Sequence, residues 1–405
     1  MAAESQIPIA SQGDPRRFAV GLRLFYGATF ALGGTYLPFF PVWLKAIGID
    51  PSWIGMIAAV SSVTRFTVLP VITSVAESRQ AVRGAMMLTA FATTLGFVLV
   101  GTQQQPILVF LFFAATACVW TPMVPLTDAY ALRGVARYGL DYGPLRLWGS
   151  VAFILGALAC GELGDIIAAR HLIWVIAAMA GLGAVISVGL RPLDQPKPAS
   201  AALQRGSTLL RNPGFLAIII ASALIQGSHA AYYAFGSISW QASGMTGLTV
   251  AGLWALGVIA EIVVFALSPR FTLSPALLVV IGALSAVVRW TLTAQDPPLA
   301  VLALIQLTHG LTFGLTQVGI MSLLVYHIPG HVMARGQGYL AACSGMVSGC
   351  ASIVSGAIYA HYGQGVYYFM AAMAFSGAVL IWLARHRLAD YHPPSDHPQS
   401  ADSGG

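Results

Sequence analysis

Twelve stretches of this 405-residue chain are apolar for about 20 residues each, and that repetition limits the fold more than any single residue. They fall at 18–43, 52–75, 84–102, 106–130, 144–164, 171–190, 214–240, 248–268, 273–293, 299–325, 336–360 and 366–384. A run of about 20 apolar residues spans the hydrocarbon of a bilayer as a helix. Lipid offers no partner to an open strand edge, so every run is expected to be helical. Composition agrees. The chain is 57% hydrophobic and 8% charged, against roughly 25% charged in a soluble domain. The expected fold is an all-α membrane protein with twelve transmembrane helices. Pro38, Pro41, Pro70, Pro122 and Pro125 are expected to kink or end helices rather than exclude them.

The longest polar interval, RPLDQPKPASAALQRGSTLLRNP at 191–213, is rich in proline and carries four bases. It reads as a cytoplasmic linker. The chain then divides into a cytoplasmic N-terminal segment (1–17), an N-terminal six-helix bundle (18–190), the linker, a C-terminal six-helix bundle (214–385) and a disordered cytoplasmic tail (386–405). The N-terminal segment lacks the apolar core and cleavage site of a signal peptide, so the first run itself would direct insertion. With the N-terminus inside, 14 of the 20 bases lie in cytoplasmic segments, and only Lys45 and Arg170 lie outside. That bias predicts both termini in the cytoplasm of a multi-pass protein. The net charge of +6 is therefore an orientation signal, with no implication of nucleic acid. Six helices, a cytoplasmic loop and six helices form the outline of a major facilitator transporter, in which two bundles rock around a midplane site.

Little points to enzyme chemistry. Cys118, Cys160, Cys343 and Cys350 sit in apolar runs without metal spacing and read as small core residues. His386, His392 and His397 in the tail are unevenly spaced. No nucleophile stands beside a base, and no metal or other cofactor is expected. Gly345 and Gly349 form a GxxxG, and Gly149, Gly156 and Gly161 line the fifth run. Close backbone approach between helices is the plain reading, and sliding of helices during transport is compatible with it.

With so few charges, each one at membrane depth is a functional candidate. Asp128 ends the fourth run and Arg146 begins the fifth. They could hold a polar ligand, pair at the interface, or let Arg146 snorkel to lipid headgroups. Arg65, Glu261 and His309 are too deep to escape and need a partner or a water-filled cavity. Arg289, toward the outer end of its run, has an escape like that of Arg146. Gln226, His229 and Tyr233 share one helix face by their spacing, as do Gln306, His309 and Phe313, with Thr312 adjacent. Either face is a cavity wall or a set of interhelical hydrogen bonds. Arg65, Arg146 and Arg289 outnumber Asp128 and Glu261 by one, and a mildly positive cavity favours an anionic substrate. Trp120, Trp148, Tyr232, Tyr233, Trp254 and Trp290 could stack on a planar ring, although aromatics in such helices also serve packing and interfacial belts.

The pieces PFFPVWLKAIG, VPLTDA, LDYGPLRLWGSVAF, QGSHAAYYAFGSISWQASG, LWALGVIAEIVVFALSPRF and VVRW closely resemble the phenylpropionate permease family of the major facilitator superfamily, from the first helix to the last. More distantly, the chain resembles the lactose–proton symporter. There an acid on helix four and an arginine on helix five hold the sugar, which Asp128 and Arg146 match. Its helix-eight glutamate, helix-nine arginine and helix-ten histidine match Glu261, Arg289 and His309. The symporter's proton-coupling glutamate one turn beyond that histidine is Thr312 here, so the coupling site does not carry over directly. The superfamily's glycine–arginine motif is also weak in ITSVAESRQAVRG.

The resemblance implies a proton-coupled symporter, monomeric, in a bacterial cytoplasmic (inner) membrane, importing an aromatic carboxylate such as 3-phenylpropionate. Substrate binding is expected of Asp128, Arg146, His229, Tyr233, Arg289 and His309. Proton coupling is expected of Glu261 with His309, and Arg65 supplies cavity charge. The alternatives are proton symport of a neutral sugar or nucleoside, with Asp128 accepting hydrogen bonds, or drug export. A membrane sensor that binds without transport is disfavoured by the six-plus-six plan.

Overall fold

A computed structural model of the chain describes residues 14–193, 209–328 and 332–389. Among the described residues all regular structure is helical. The α-helices are α1 (Pro15–Ala46), α2 (Pro51–Ser78), α3 (Val82–Gly101), α4 (Pro106–Trp120), α5 (Met123–Tyr138), α6 (Tyr142–Ile166), α7 (Leu172–Val188), α8 (Pro213–Gly227), α9 (Ala230–Ala242), α10 (Gly247–Leu267), α11 (Pro275–Thr293), α12 (Leu299–Leu307), α13 (Thr316–His327), α14 (Met333–Tyr362) and α15 (Val366–Ala389). Among the described residues ten helical stretches are long and apolar enough to cross a membrane, counting α14 and α15 together as the stretch 335–388.

Helix starts follow from local chemistry. Asp14, Asp50, Asn212 and Ser274 each precede a proline at the first helical position, and each side chain accepts from a backbone N–H of the first turn. This cap places Pro15–Arg17, the end of the expected N-terminal segment, inside α1. The start of the expected tail is helical as well. α15 continues through His386 and Arg387 to Ala389, and Arg387 in the last turn places a cation at the negative end of the helix dipole. His392, His397 and residues 194–208 of the linker lie outside the described residues. Pro38 and Pro41 lie within α1 and Pro70 within α2, whereas Pro122 marks the break between α4 and α5. Two more runs are interrupted without proline. One breaks at Ser228–His229 between α8 and α9, and one passes through a π-helical turn, Gly310–Leu315, between α12 and α13.

The helices of 15–188 pack among themselves, α1 on α6 and α7, and α3 on α4 and α7. Those of 213–389 do likewise, with α15 on α8 and α11, and α14 on α8. The two sets meet where α14 lies on α2, α10 on α6 and α9 on α1. The end where α1 starts and α15 finishes is here the near end, and its opposite the far end. One continuous buried core fills the far end, joining Phe39, Trp43 and Ile54 of the first set to Phe235, Trp240 and Val250 of the second. Toward the near end the core splits. Phe25, Met86 and Tyr130 belong to one cluster, and Phe215, Val279 and Leu324 to another.

Glycines close the far end. A Cβ on Gly161 or Gly247 would lie 2.5 Å from the other's carbonyl oxygen, and one on Gly55 would lie 2.5 Å from that of Ser352. Backbones can touch there only because no side chain intervenes. The GxxxG glycine Gly345 likewise faces α2, where a Cβ would lie 2.9 Å from the Ser62 carbonyl oxygen. Outward-facing apolar side chains such as Leu88 and Leu383 (each 72% exposed) form the lipid-directed surface.

Candidate functional site

Arg289, on α11, is 1% exposed and lies at the centre of a polar cluster. Its Nη1 donates to His309 Nδ1 at 2.7 Å and to Thr312 Oγ1 at 3.0 Å, and its Nη2 donates to Gln306 Oε1 at 3.0 Å. The guanidinium carbon lies 4.5 Å from the ring centre of Trp290 and 4.8 Å from that of Tyr232. Nε has no hydrogen-bond partner among the described residues. No carboxylate lies within ion-pair distance of Arg289 there either, so neutral groups and rings hold a charge whose burial is costly when unpaired. The expected escape of Arg289 toward the outer face is therefore corrected. Its side chain turns inward, into the bundle.

The π-helical turn explains how three residues of one chain segment reach one guanidinium. In a regular α-helix Thr312, six residues after Gln306, would point well away from it. The wider turn over Gly310–Leu315 lets Gln306, His309 and Thr312 bond Arg289 together. Phe313, expected on the face of Gln306 and His309, stacks on the His309 ring instead, with centroids 5.4 Å apart.

His229 enters from the break between α8 and α9. Its Nδ1 lies 3.2 Å from the Ile225 carbonyl oxygen and its Nε2 3.3 Å from Thr312 Oγ1. A carbonyl only accepts, so Nδ1 carries the hydrogen and Nε2 accepts from the threonine hydroxyl. Tyr232 donates to Gln306 Oε1 at 3.2 Å. Gln226, His229 and Tyr233 divide their roles. Gln226 reaches Gln317 at 3.4 Å, and the Tyr233 ring lies 6.1 Å from that of His229. On α10, Glu261 Oε2 lies 4.0 Å from His309 Nε2. The glutamate side chain is 27% exposed, while the histidine beside it is buried.

The second cluster sits between α1, α5 and α6. Arg146 Nε lies 3.9 Å from Asp128 Oδ1, with both side chains about one-third exposed. Tyr26 donates to the same oxygen at 2.6 Å and Tyr142 at 3.0 Å. The Arg146 guanidinium lies 4.0 Å from the centre of the Phe30 ring. A Cβ on Gly149 would come within 3.0 Å of its Nη1, so glycine leaves the room it occupies. Asp128 and Arg146 thus form a loose pair in which the carboxylate is held more closely by phenols than by its cation.

Arg65 is exposed and has no carboxylate within ion-pair distance among the described residues. The structure therefore gathers His229, Tyr233, Glu261, Arg289 and His309 at one place and Asp128 with Arg146 at another. Sequence reasoning did not find Tyr26 and Tyr142 around Asp128. Tyr26 is 102 residues away in the chain, and no spacing rule connects them.

Residues 20–371 match the MFS_1 like family. A probable 3-phenylpropionic acid transporter of Escherichia coli (strain K12) is 33% identical over 372 residues, covering 89% of this chain and 96% of that protein. A maltose permease of Geobacillus stearothermophilus is 27% identical over 297 residues, covering 72% and 75%. Among solved structures, a point mutant of the nucleoside transporter NupG superposes with a TM-score of 0.81 at 17% identity, over 90% of this chain and 99% of that one. At that identity the likeness speaks for the fold alone.

Proposed function

Since the chain belongs to the MFS_1 like family and is a multi-pass secondary transporter, we propose that it imports a small organic anion together with protons, an aromatic carboxylate such as 3-phenylpropionate. The observation that carries this reading is Arg289, a buried guanidinium held by neutral groups with one N–H unpartnered among the described residues. A carboxylate would supply the missing charge and accept a charge-assisted bond. Tyr233, Trp254 and Phe313 offer ring faces nearby, with Tyr233 and Trp254 stacked at 6.0 Å. Arg146 is the second candidate for the carboxylate. Glu261 exchanges the proton, with His309 between it and Arg289.

The membrane frame of this reading has twelve crossings in two six-helix bundles, 18–190 and 214–385, both termini cytoplasmic, in a monomer of the bacterial cytoplasmic membrane. The bias of bases supports that orientation. The near end then faces the cytoplasm, and the split core there supports an inward-open form. The 33% identical relative favours an aromatic acid as substrate. The test is uptake of radiolabelled phenylpropionate by proteoliposomes with and without an inward proton gradient. Accumulation driven by the gradient is expected, and its absence in folded protein would remove the aromatic-acid assignment.

A second reading, proton symport of a neutral sugar, draws on Asp128. Its partly exposed carboxylate, gripped by two phenols, could accept hydrogen bonds from hydroxyls, and the maltose permease is a relative. It predicts that neutral polyols compete for uptake and that Asp128→Asn abolishes binding.

A further inference from the structure

The carboxylate of Asp165, in the last turn of α6, crosses to the other helix set and closes the first turn of α10. Its Oδ1 accepts from the Gly247 N–H at 2.6 Å and its Oδ2 from the Leu248 N–H at 3.0 Å. These are the first two donors of a 21-residue helix and have no partner within it. The third, Thr249 N–H, bonds the Thr246 hydroxyl at 3.1 Å, and with Val250 N–H, which bonds the Thr246 carbonyl at 3.0 Å, the regular helical ladder begins. The segment therefore caps only one of its first three donors itself and takes the cap of the other two from the opposite half. That borrowed cap is anionic and lies at the positive end of the helix dipole. It sits beside the touching backbones of Gly161 and Gly247, at the sealed far end. Asp165 is exposed, so water stands ready to replace both bonds once the halves part.

We propose that Asp165 is the latch of the far end. Its two bonds to α10 hold the closed form, and they must break before the site opens to that side. A secondary transporter has to open at both ends, so the latch rests on the transporter reading, though not on the identity of the substrate. Asparagine at 165 keeps one accepting oxygen and loses both the charge and the second acceptor. Alanine loses everything, whereas glutamate restores the carboxylate. Loss of two charge-assisted bonds moves the open-to-closed ratio about five-fold or more.

The test is pulsed electron paramagnetic resonance on the full chain in lipid nanodiscs, with its native cysteines replaced. Nitroxides are placed at the exposed far-end positions Gln104 and Ala242, one in each half. A control pair at Ala242 and Leu299 lies within one half. In Asp165→Asn and Asp165→Ala the inter-half pair is expected to gain a longer-distance population about five-fold or more above that of the unsubstituted chain. Asp165→Glu is expected to return most of it, and the control pair to stay unchanged. An inter-half distribution that all three variants leave unchanged overturns the proposal. So does equal broadening of the control pair, which would make Asp165 a helix cap without a role in the gate. Failure of phenylpropionate uptake alongside a shifted inter-half pair would remove the substrate and leave the latch.

Discussion

Arg289 Nη1 lies 2.7 Å from His309 Nδ1, and this bond decides where the histidine carries its hydrogen. A guanidinium only donates, so Nδ1 accepts and the neutral ring bears its hydrogen on Nε2. Nε2 faces Glu261 Oε2 at 4.0 Å. A carboxylate, an imidazole and a fixed cation thus stand in line, with the ring oriented by the cation. Withdrawing the arginine toward an anion would free Nδ1 to accept a proton. Binding of the anion and of the proton would then assist each other, a coupling of the kind that makes symport obligatory.

Glu261→Gln tests the proton end of that line. The amide keeps the size and loses the exchangeable proton. Accumulation driven by a proton gradient is expected to disappear, while counterflow exchange of substrate across the vesicle membrane persists. Uptake by the variant that kept its full pH dependence would sink the role given to Glu261.

Arg289→Lys tests the anion end. Lysine preserves the charge but not the planar fork, and Nη1 and Nη2 now serve three acceptors at once. Hydrogen bonds to charged groups contribute about 1.5–3 kcal/mol each, so an apparent affinity weaker by roughly ten-fold or more is expected. The measurement is KM for phenylpropionate in proteoliposomes, with counterflow confirming folded protein. Unchanged KM here and a large change in Arg146→Lys would move the carboxylate to Arg146.

Much of the fold was legible because lipid removes choices. Runs of apolar residues had to be helices, and among the described residues all regular structure is helical. The bends were harder. Pro122 announced the break between α4 and α5, whereas nothing in IQLTHGLTFGLTQ signals a π-helical turn, and that turn decides that Thr312 rather than Phe313 joins Gln306 and His309 on Arg289. Glu261 and His309 were legible as a charge and an imidazole at depth, whereas the inward turn of Arg289 was not. Tyr26 and Tyr142 were not, because a tyrosine in a membrane helix is ordinary until the fold brings Asp128 to it.

Asp128→Asn separates the two substrate readings. In the anion reading Asp128 is a partly exposed group held by two phenols and a loose cation, away from Arg289. Exposed pairs of this kind contribute about 0–1 kcal/mol. Uptake of phenylpropionate by the asparagine variant is expected to stay within about five-fold of the parent. Complete loss of uptake, with polyols competing in the parent, would favour the neutral-sugar reading.

Thr312→Glu asks whether Arg289 is kept without an internal counter-ion so that substrate can supply one. Thr312 Oγ1 lies 3.0 Å from Arg289 Nη1 and 3.3 Å from His229 Nε2, and a glutamate there would place a carboxylate against the guanidinium. That tethered anion competes with a dissolved one at a high effective concentration. Phenylpropionate is expected to bind about ten-fold or more weakly, the size of a single charge-assisted bond. Thr312→Gln has nearly the same volume and no charge, so it carries the steric part of the change and is expected to lose much less. Equilibrium binding of labelled phenylpropionate to both variants decides the matter. Equal affinities would mean that crowding alone acts at this position and that the substrate carboxylate is held elsewhere. A large gap between glutamate and glutamine would place the carboxylate at Arg289.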